Sequence, residues 1–137
     1  MHKPMTPHGD FDYMGSSINL INSFKVESVI FNKGTYNELE NALIKVLEER
    51  NIKYKNLHVY TESTHLKTKY FDIEFFRTTH SIPDSHGISI TTPNGVIVMT
   101  GDFKFDLTPV SPIANLHKIA EIGKKGVKLV MSDSTNA

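Results

Sequence analysis

Residues 87–100 confine this chain more tightly than any other stretch. Residues 87–92 and 95–100 are two β-rich runs on either side of Asn94-Gly95, a strong signal for a tight hairpin turn. Further runs of the same kind flank them. Residues 71–78 place Phe71, Ile73 and Phe75 on one face of an alternating strand, and residues 57–60 form a short one. Residues 25–31, with Val26, Val29, Ile30 and Phe31, read as a buried strand, and residues 127–131 as a last buried strand.

Helical signals alternate with these runs. A short helix is expected over about 16–24, with Ile18, Leu20, Ile21 and Phe24 apolar. Gly34 ends the strand before it, and Thr35 with Glu38 forms a capping box. Leu39, Ala42, Leu43, Val46 and Leu47 then give one apolar helical face. A helix over about 112–122 turns Leu116, Ile119 and Ala120 inward, with Gly123 suited to its C-terminal end. Strands alternating with helices, plus one hairpin, predict an α/β (α+β layered) domain, a mixed sheet with flanking helices.

The length of 137 residues allows one domain and not two. With 39% hydrophobic and 22% charged residues, the composition excludes a disordered tail, a collagen-like repeat and a coiled coil. Fifteen Lys+Arg balance fifteen Asp+Glu, so any contact with nucleic acid has to be made at a local site and not by bulk charge. The absence of Cys excludes a disulfide framework and a cysteine zinc site, and fits a reducing compartment. No apolar stretch approaches the roughly 18–20 residues of a membrane helix. Met1-His2-Lys3-Pro4-Met5 lacks the apolar core of a signal peptide. The expectation is a soluble cytoplasmic protein with no membrane partner.

Three polar segments could carry chemistry. His8-Gly9-Asp10-Phe11-Asp12-Tyr13 packs an imidazole and two carboxylates into five residues. In an extended segment His8, Asp10 and Asp12 point the same way, a donor set suited to Zn²⁺, Mn²⁺ or Fe²⁺. Taken alone, the segment reads more readily as a surface loop with capping aspartates. Thr79-His80-Ser81-Ile82-Pro83-Asp84-Ser85-His86 follows a strand directly, and Thr100-Gly101-Asp102 ends the hairpin. Sites are commonly built at such strand ends, where a His and an Asp could share a metal, although an Asp after Gly is also an ordinary turn former.

Residues 75–85 (Phe-Phe-Arg-Thr-Thr-His-Ser-Ile-Pro-Asp-Ser), 100–106 (Thr-Gly-Asp-Phe-Lys-Phe-Asp) and 132–136 (Ser-Asp-Ser-Thr-Asn) resemble the ribonuclease J family in order, from about Phe71 to Ala137. That family consists of metallo-β-lactamase-fold, β-CASP-type ribonucleases with two metal ions. The resemblance implies that His80 is a metal-ligating His and Asp102 a metal-bridging Asp. Residues 6–52, with His8-Gly9-Asp10-Phe11-Asp12-Tyr13-Met14-Gly15 and the strand that follows, resemble instead the metallo-β-lactamase-like domain of ComEC-type competence proteins. In the His-x-His-x-Asp-His pattern that both families share, His8, Asp10 and Asp12 match, with Asp at the second position as in ComEC-type proteins. Tyr13 stands where the final His belongs. The chain thus reads as a mosaic joined within about 51–71.

The resemblance implies a partial metallo-β-lactamase fold, a truncated single domain over 1–137 with the β-CASP domain absent. His8, Asp10, His80 and Asp102 would form one metal site, and Asp12 would orient the attacking water. The second site would need Asp12, Asp102, a His at position 13 and a later His. Tyr13 is a poor substitute, because a phenol is a weak ligand at neutral pH, so one site is favoured over two. The implied cofactor is zinc, with manganese or magnesium as alternatives. The implied activity is metal-dependent hydrolysis of phosphodiester bonds in single-stranded RNA or DNA. Two other readings stand beside it: a non-catalytic remnant or scaffold of the same fold, and a β-lactam or small-ester hydrolase. His58 and His86 read as surface or turn residues, and His2, His65 and His117 carry no motif. Lys104 reads as a solvated charge that could also meet a phosphate. Exposed sheet edges would favour self-association.

Overall fold

The computed structural model describes residues 28–32, 48–49, 56–80, 84–104, 106–109 and 112–134. The chain divides into two units, residues 1–60 and 61–137. In the first unit β1 (Ser28–Asn32) and β2 (Asn56–Tyr60) pair in parallel, from Ser28 opposite Asn56 to Asn32 opposite Tyr60. Both strands coincide with β-rich runs of the sequence. A parallel pair requires a crossover connection; the helix expected from Thr35 to Leu47 lies outside the described residues, as does that over 16–24. Tyr60, at the end of β2, is buried, and burial pushes its phenol up to about 12.

The second unit is a five-stranded sheet in the order β3-β4-β5-β6-β7, with β3 (His65–Lys67), β4 (Asp72–Arg77), β5 (His86–Thr92), β6 (Gly95–Met99) and β7 (Val127–Met131). The first three pairings are antiparallel and β6–β7 is parallel. One helix, α1 (Leu116–Lys124), flanks it. The expected α/β architecture with a mixed sheet and a flanking helix is therefore present, consistent with part of a metallo-β-lactamase-like fold. The hairpin lies where the sequence puts it, with a small shift of the turn. Thr92 pairs with Gly95, so the loop is Pro93-Asn94 and Gly95 begins β6 at φ +130°. The Thr92 hydroxyl closes the loop, accepting from the Asn94 N–H at 3.1 Å and donating to the Gly95 carbonyl at 2.9 Å.

The core lies between the sheet and α1. Phe76, Val96, Val98 and Ile122 are buried together, with Ile119 and Val127 packed against them. Alternation in β4 singles out Phe71, Ile73 and Phe75, yet the residue of β4 in this cluster is Phe76, on the opposite face of the strand. Phe75 is equally buried, so both faces of the β4 end are covered, and Phe71 is left 47% exposed beyond the strand's first residue. Periodicity cannot rank two faces that are both covered.

Three other expectations need correction. Leu116 and Ala120 do not turn inward: Ile119 and Ile122 do, one turn apart. Leu116 lies in the first turn and lines a small hollow with Leu107 and Ile113. The helix also starts later and ends later than expected. Asn115 caps it, its side chain accepting from the Lys118 N–H at 3.0 Å. The helix runs through Gly123, and Gly126, at φ +81°, supplies the left-handed residue that lets the chain turn into β7. Finally, β7 is not buried. Leu129, Val130 and Met131 are 48%, 57% and 43% exposed, because among the described residues β7 is the edge of the sheet, with a neighbour on one side only. Among the described residues, no helix is long and apolar enough to cross a membrane.

Ser89, in the middle of β5, is fully buried and its hydroxyl has no hydrogen-bond partner among the described residues. A buried hydroxyl without a partner opposes folding. Ser89→Ala is expected to stabilise the chain by about 1 kcal/mol, read as a higher urea midpoint at unchanged slope; a lower midpoint would contradict this account.

Candidate functional site

The strand directions decide where the polar segments meet. β4 and β6 are both antiparallel to β5, and β7 is parallel to β6. The C-terminal ends of β4, β6 and β7 therefore share one rim of the sheet. His80 lies just past the end of β4, Asp102 just past β6, and Ser132-Asp133-Ser134 just past β7. All three polar motifs of residues 71–137 are thus delivered to the same rim.

Hydrogen bonds join the segments there. Beyond β4 the ladder continues one step, with the Thr78 N–H donating to the Ser85 carbonyl at 3.0 Å. Thr79 then changes partner and forms an antiparallel bridge with Lys104, whose N–H donates to the Thr79 carbonyl at 2.7 Å. His80 follows this bridge on one segment and Asp102 precedes it by two residues on the other, so the bridge makes them near neighbours. The Thr78 hydroxyl donates to Ser85 Oγ at 3.0 Å, and Ser85 Oγ donates to the Asp102 carbonyl at 3.3 Å. On the far side the Thr100 N–H donates to the Met131 carbonyl at 3.0 Å. The Asp133 N–H donates to Thr100 Oγ1 at 3.3 Å. Thr78, Thr79 and Ser85 are all buried. Gly101 has φ +59°, the left-handed region that a side chain would strain, which explains a glycine directly before Asp102.

The segment leading into α1 holds this rim from behind. The Ala114 N–H donates to Thr79 Oγ1 at 2.9 Å, the Asn115 N–H to the Arg77 carbonyl at 3.1 Å, and Arg77 Nε to the Ile113 carbonyl at 3.0 Å. Glu62 ties the three elements together. Its Oε1 accepts from the Arg77 N–H at 3.3 Å and from Asn115 Nδ2 at 2.7 Å, while its carbonyl accepts from Lys118 Nζ at 2.6 Å. Partial burial would raise the Glu62 pKa, but the hydrogen bonds from Arg77 and Asn115 and the charges of Arg77 and Lys118 outweigh it and hold the carboxyl below its ordinary value. A carboxyl depressed on folding contributes stability above its unfolded pKa and loses it as pH falls through the folded one. The chain is therefore expected to lose stability on acidification below about pH 4.5, and Glu62→Gln to flatten that dependence. Urea midpoints measured between pH 3 and 7 check it, and an unchanged slope in the variant would refute it.

His80 and Asp102 are both half-buried on this rim, an imidazole and a carboxylate of the kind a borderline divalent ion takes. Among the described residues, no group of three or more His, Asp or Glu side chains is placed to hold a metal. His8, Asp10 and Asp12, the other ligand candidates, and Tyr13 lie outside the described residues. His86 begins β5 on the same rim. Its Nδ1 lies 2.6 Å from the Asp84 carbonyl, and burial holds its pKa below the ordinary value against that bond. His58 is exposed on β2, His65 is bonded to Asp72 and His117 is exposed on α1. Sequence reasoning missed Thr78, Ser85, Thr100 and Glu62. Ser85 and Thr100 lie in segments that the sequence singles out, but nothing local gives their hydroxyls a role, and Glu62 acquires meaning only through partners 15 and 53 residues away.

No family model matches the chain. Among curated proteins it is similar to ribonuclease J of Mycoplasma genitalium, 36% identical over 130 residues, covering 95% of this chain and 22% of that protein. It is 40% identical over 131 residues to ribonuclease J2 of Bacillus subtilis, covering 95% of this chain and 23% of the relative. Ribonuclease J 1 of Streptococcus pyogenes is 47% identical over 98 residues, covering 70% of this chain and 18% of the relative. The similarity at 95% coverage takes in most of the N-terminal residues as well, and the ComEC-type resemblance of residues 6–52 finds no support in these relatives. The chain spans about a fifth of the length of the curated relatives it matches. Over most of its length, then, the chain is a ribonuclease J-like region.

Proposed function

We propose that this chain supplies metal-binding residues of a ribonuclease J-like nuclease, which hydrolyses phosphodiester bonds of single-stranded RNA. The observation that carries the reading is the delivery of His80 and Asp102 to one rim, in a chain similar to proteins named ribonuclease J. His80 and Asp102 would ligate the ion, with His8 and Asp10 completing the donor set, and Asp12 would be a ligand only of a second ion. A bound divalent ion, zinc in this reading with manganese or magnesium as alternatives, supplies Lewis acidity that activates water and offsets charge on the phosphate. Asp12 orients the attacking water. The exposed β7 edge is proposed to drive self-association.

The test is calorimetric titration of the chain with Zn²⁺ and Mn²⁺, followed by assay on single-stranded RNA and DNA. The expected result is binding near one ion per chain that is lost in the His80→Ala, Asp102→Ala double variant. Binding unchanged in that variant, or no binding above background, would sink the reading.

A further inference from the structure

We infer that Ser85 is a positioning residue, one that locks Asp102 to the segment carrying His80. The inference rests on the metal-binding reading above and adds to it the group that sets the spacing of the two ligands. Ser85 is 2% exposed and stands at the point where the His80 segment returns to the sheet. A hydroxyl carries one proton, so the direction of its bonds matters. Thr78 Oγ1 gives its proton to Ser85 Oγ, and Ser85 Oγ gives its own to the Asp102 carbonyl. Ser85 also accepts the Thr78 N–H through its backbone carbonyl.

The consequence is a shared frame. The Asp102 backbone is held by Ser85 at its own carbonyl and, two residues on, by the bond from the Lys104 N–H to the Thr79 carbonyl. Both holding groups belong to the segment that bears His80. A displacement of that segment therefore moves the imidazole and the carboxylate together, and their separation is preserved. An alanine at position 85 would leave the Asp102 carbonyl and the Thr78 hydroxyl without this bond while keeping the fold's apolar contacts. The spacing of the donors would loosen, and metal affinity is sensitive to such supporting bonds.

The experiment titrates the full chain and its variants with Zn²⁺ and records thermal unfolding of each without metal. Ser85→Ala is expected to weaken Zn²⁺ binding about tenfold at unchanged stoichiometry. Thr78→Val keeps the shape and removes the donor to Ser85, and should weaken binding about threefold. Ser89→Ala removes an equally buried serine hydroxyl from β5, four residues on and outside the relay, and should leave affinity unchanged. Ser85→Ala binding as tightly as the parent overturns the inference, as does equal weakening by Ser85→Ala and Ser89→Ala, which would mark a merely structural effect. If Ser85→Ala fails to fold, Thr78→Val decides, and unchanged affinity there overturns it. Absent binding by the parent, or binding indifferent to His80 and Asp102, fells the metal-binding reading and this inference with it. Binding that depends on His80 and Asp102 but not on Ser85 fells the inference alone.

Discussion

Phe76→Ala is expected to destabilise the second unit by about 3–5 kcal/mol, a large share of the roughly 5–15 kcal/mol that holds a typical domain folded. The ring is 3% exposed and sits at the centre of the cluster with Val96, Val98 and Ile122. Its position depends on the residue opposite. Phe76 pairs across β4–β5 with Gly87, and a Cβ on Gly87 would lie against the ring, 2.8 Å from Cε1 and nearer still to Cζ. The glycine is thus the space the ring fills. Gly87→Ala should cost about 1–3 kcal/mol by overpacking, and should cost less in a Phe76→Leu background, where the ring is gone. Urea unfolding of the two single variants and the double variant tests this. Strict additivity would mean that the two residues do not share the space.

The second large effect is on metal binding. If His80 and Asp102 are ligands, replacing both should abolish measurable Zn²⁺ affinity, a loss well beyond the roughly 10–100-fold that follows from changing a supporting residue. The single variants should each lose more than Ser85→Ala does. That order separates ligands from the groups that position them. Circular dichroism without metal should be nearly unchanged in His80→Ala, because His80 is half-buried and lies outside the core cluster.

The sequence was most legible where composition and turn chemistry act locally. The hairpin, β2 and β4 follow from β-branched and aromatic runs bounded by turn residues, within a residue or two of where they form. What local pattern could not report was place within the sheet. The run Val-Lys-Leu-Val-Met has the composition of a covered strand, yet β7 is the edge of the sheet among the described residues. Phe71, Ile73 and Phe75 alternate correctly, but α1 packs on the other face, at Phe76. Gly123 was the nearer helix-ending glycine, and Gly126 took the left-handed backbone. At the site, His80 and Asp102 stand out through the family resemblance, since taken alone each also reads as a turn residue, and the strand pairing puts both segments on one rim. Ser85 does not, since its meaning is a bond to a carbonyl 17 residues away.

The mixed sheet also sets an order of events in folding. β5 and β6 are joined by Pro93-Asn94 alone, whereas β6 reaches β7 only after residues 100–126, helix included. Short-range pairings close first, and long-range parallel ones close late. The antiparallel strands can therefore form while Thr100 still lacks its Met131 and Asp133 partners. Assembly of the rim then ends with the docking of β7, so in a refolding chain recovery of sheet signal should run ahead of recovery of Zn²⁺ binding.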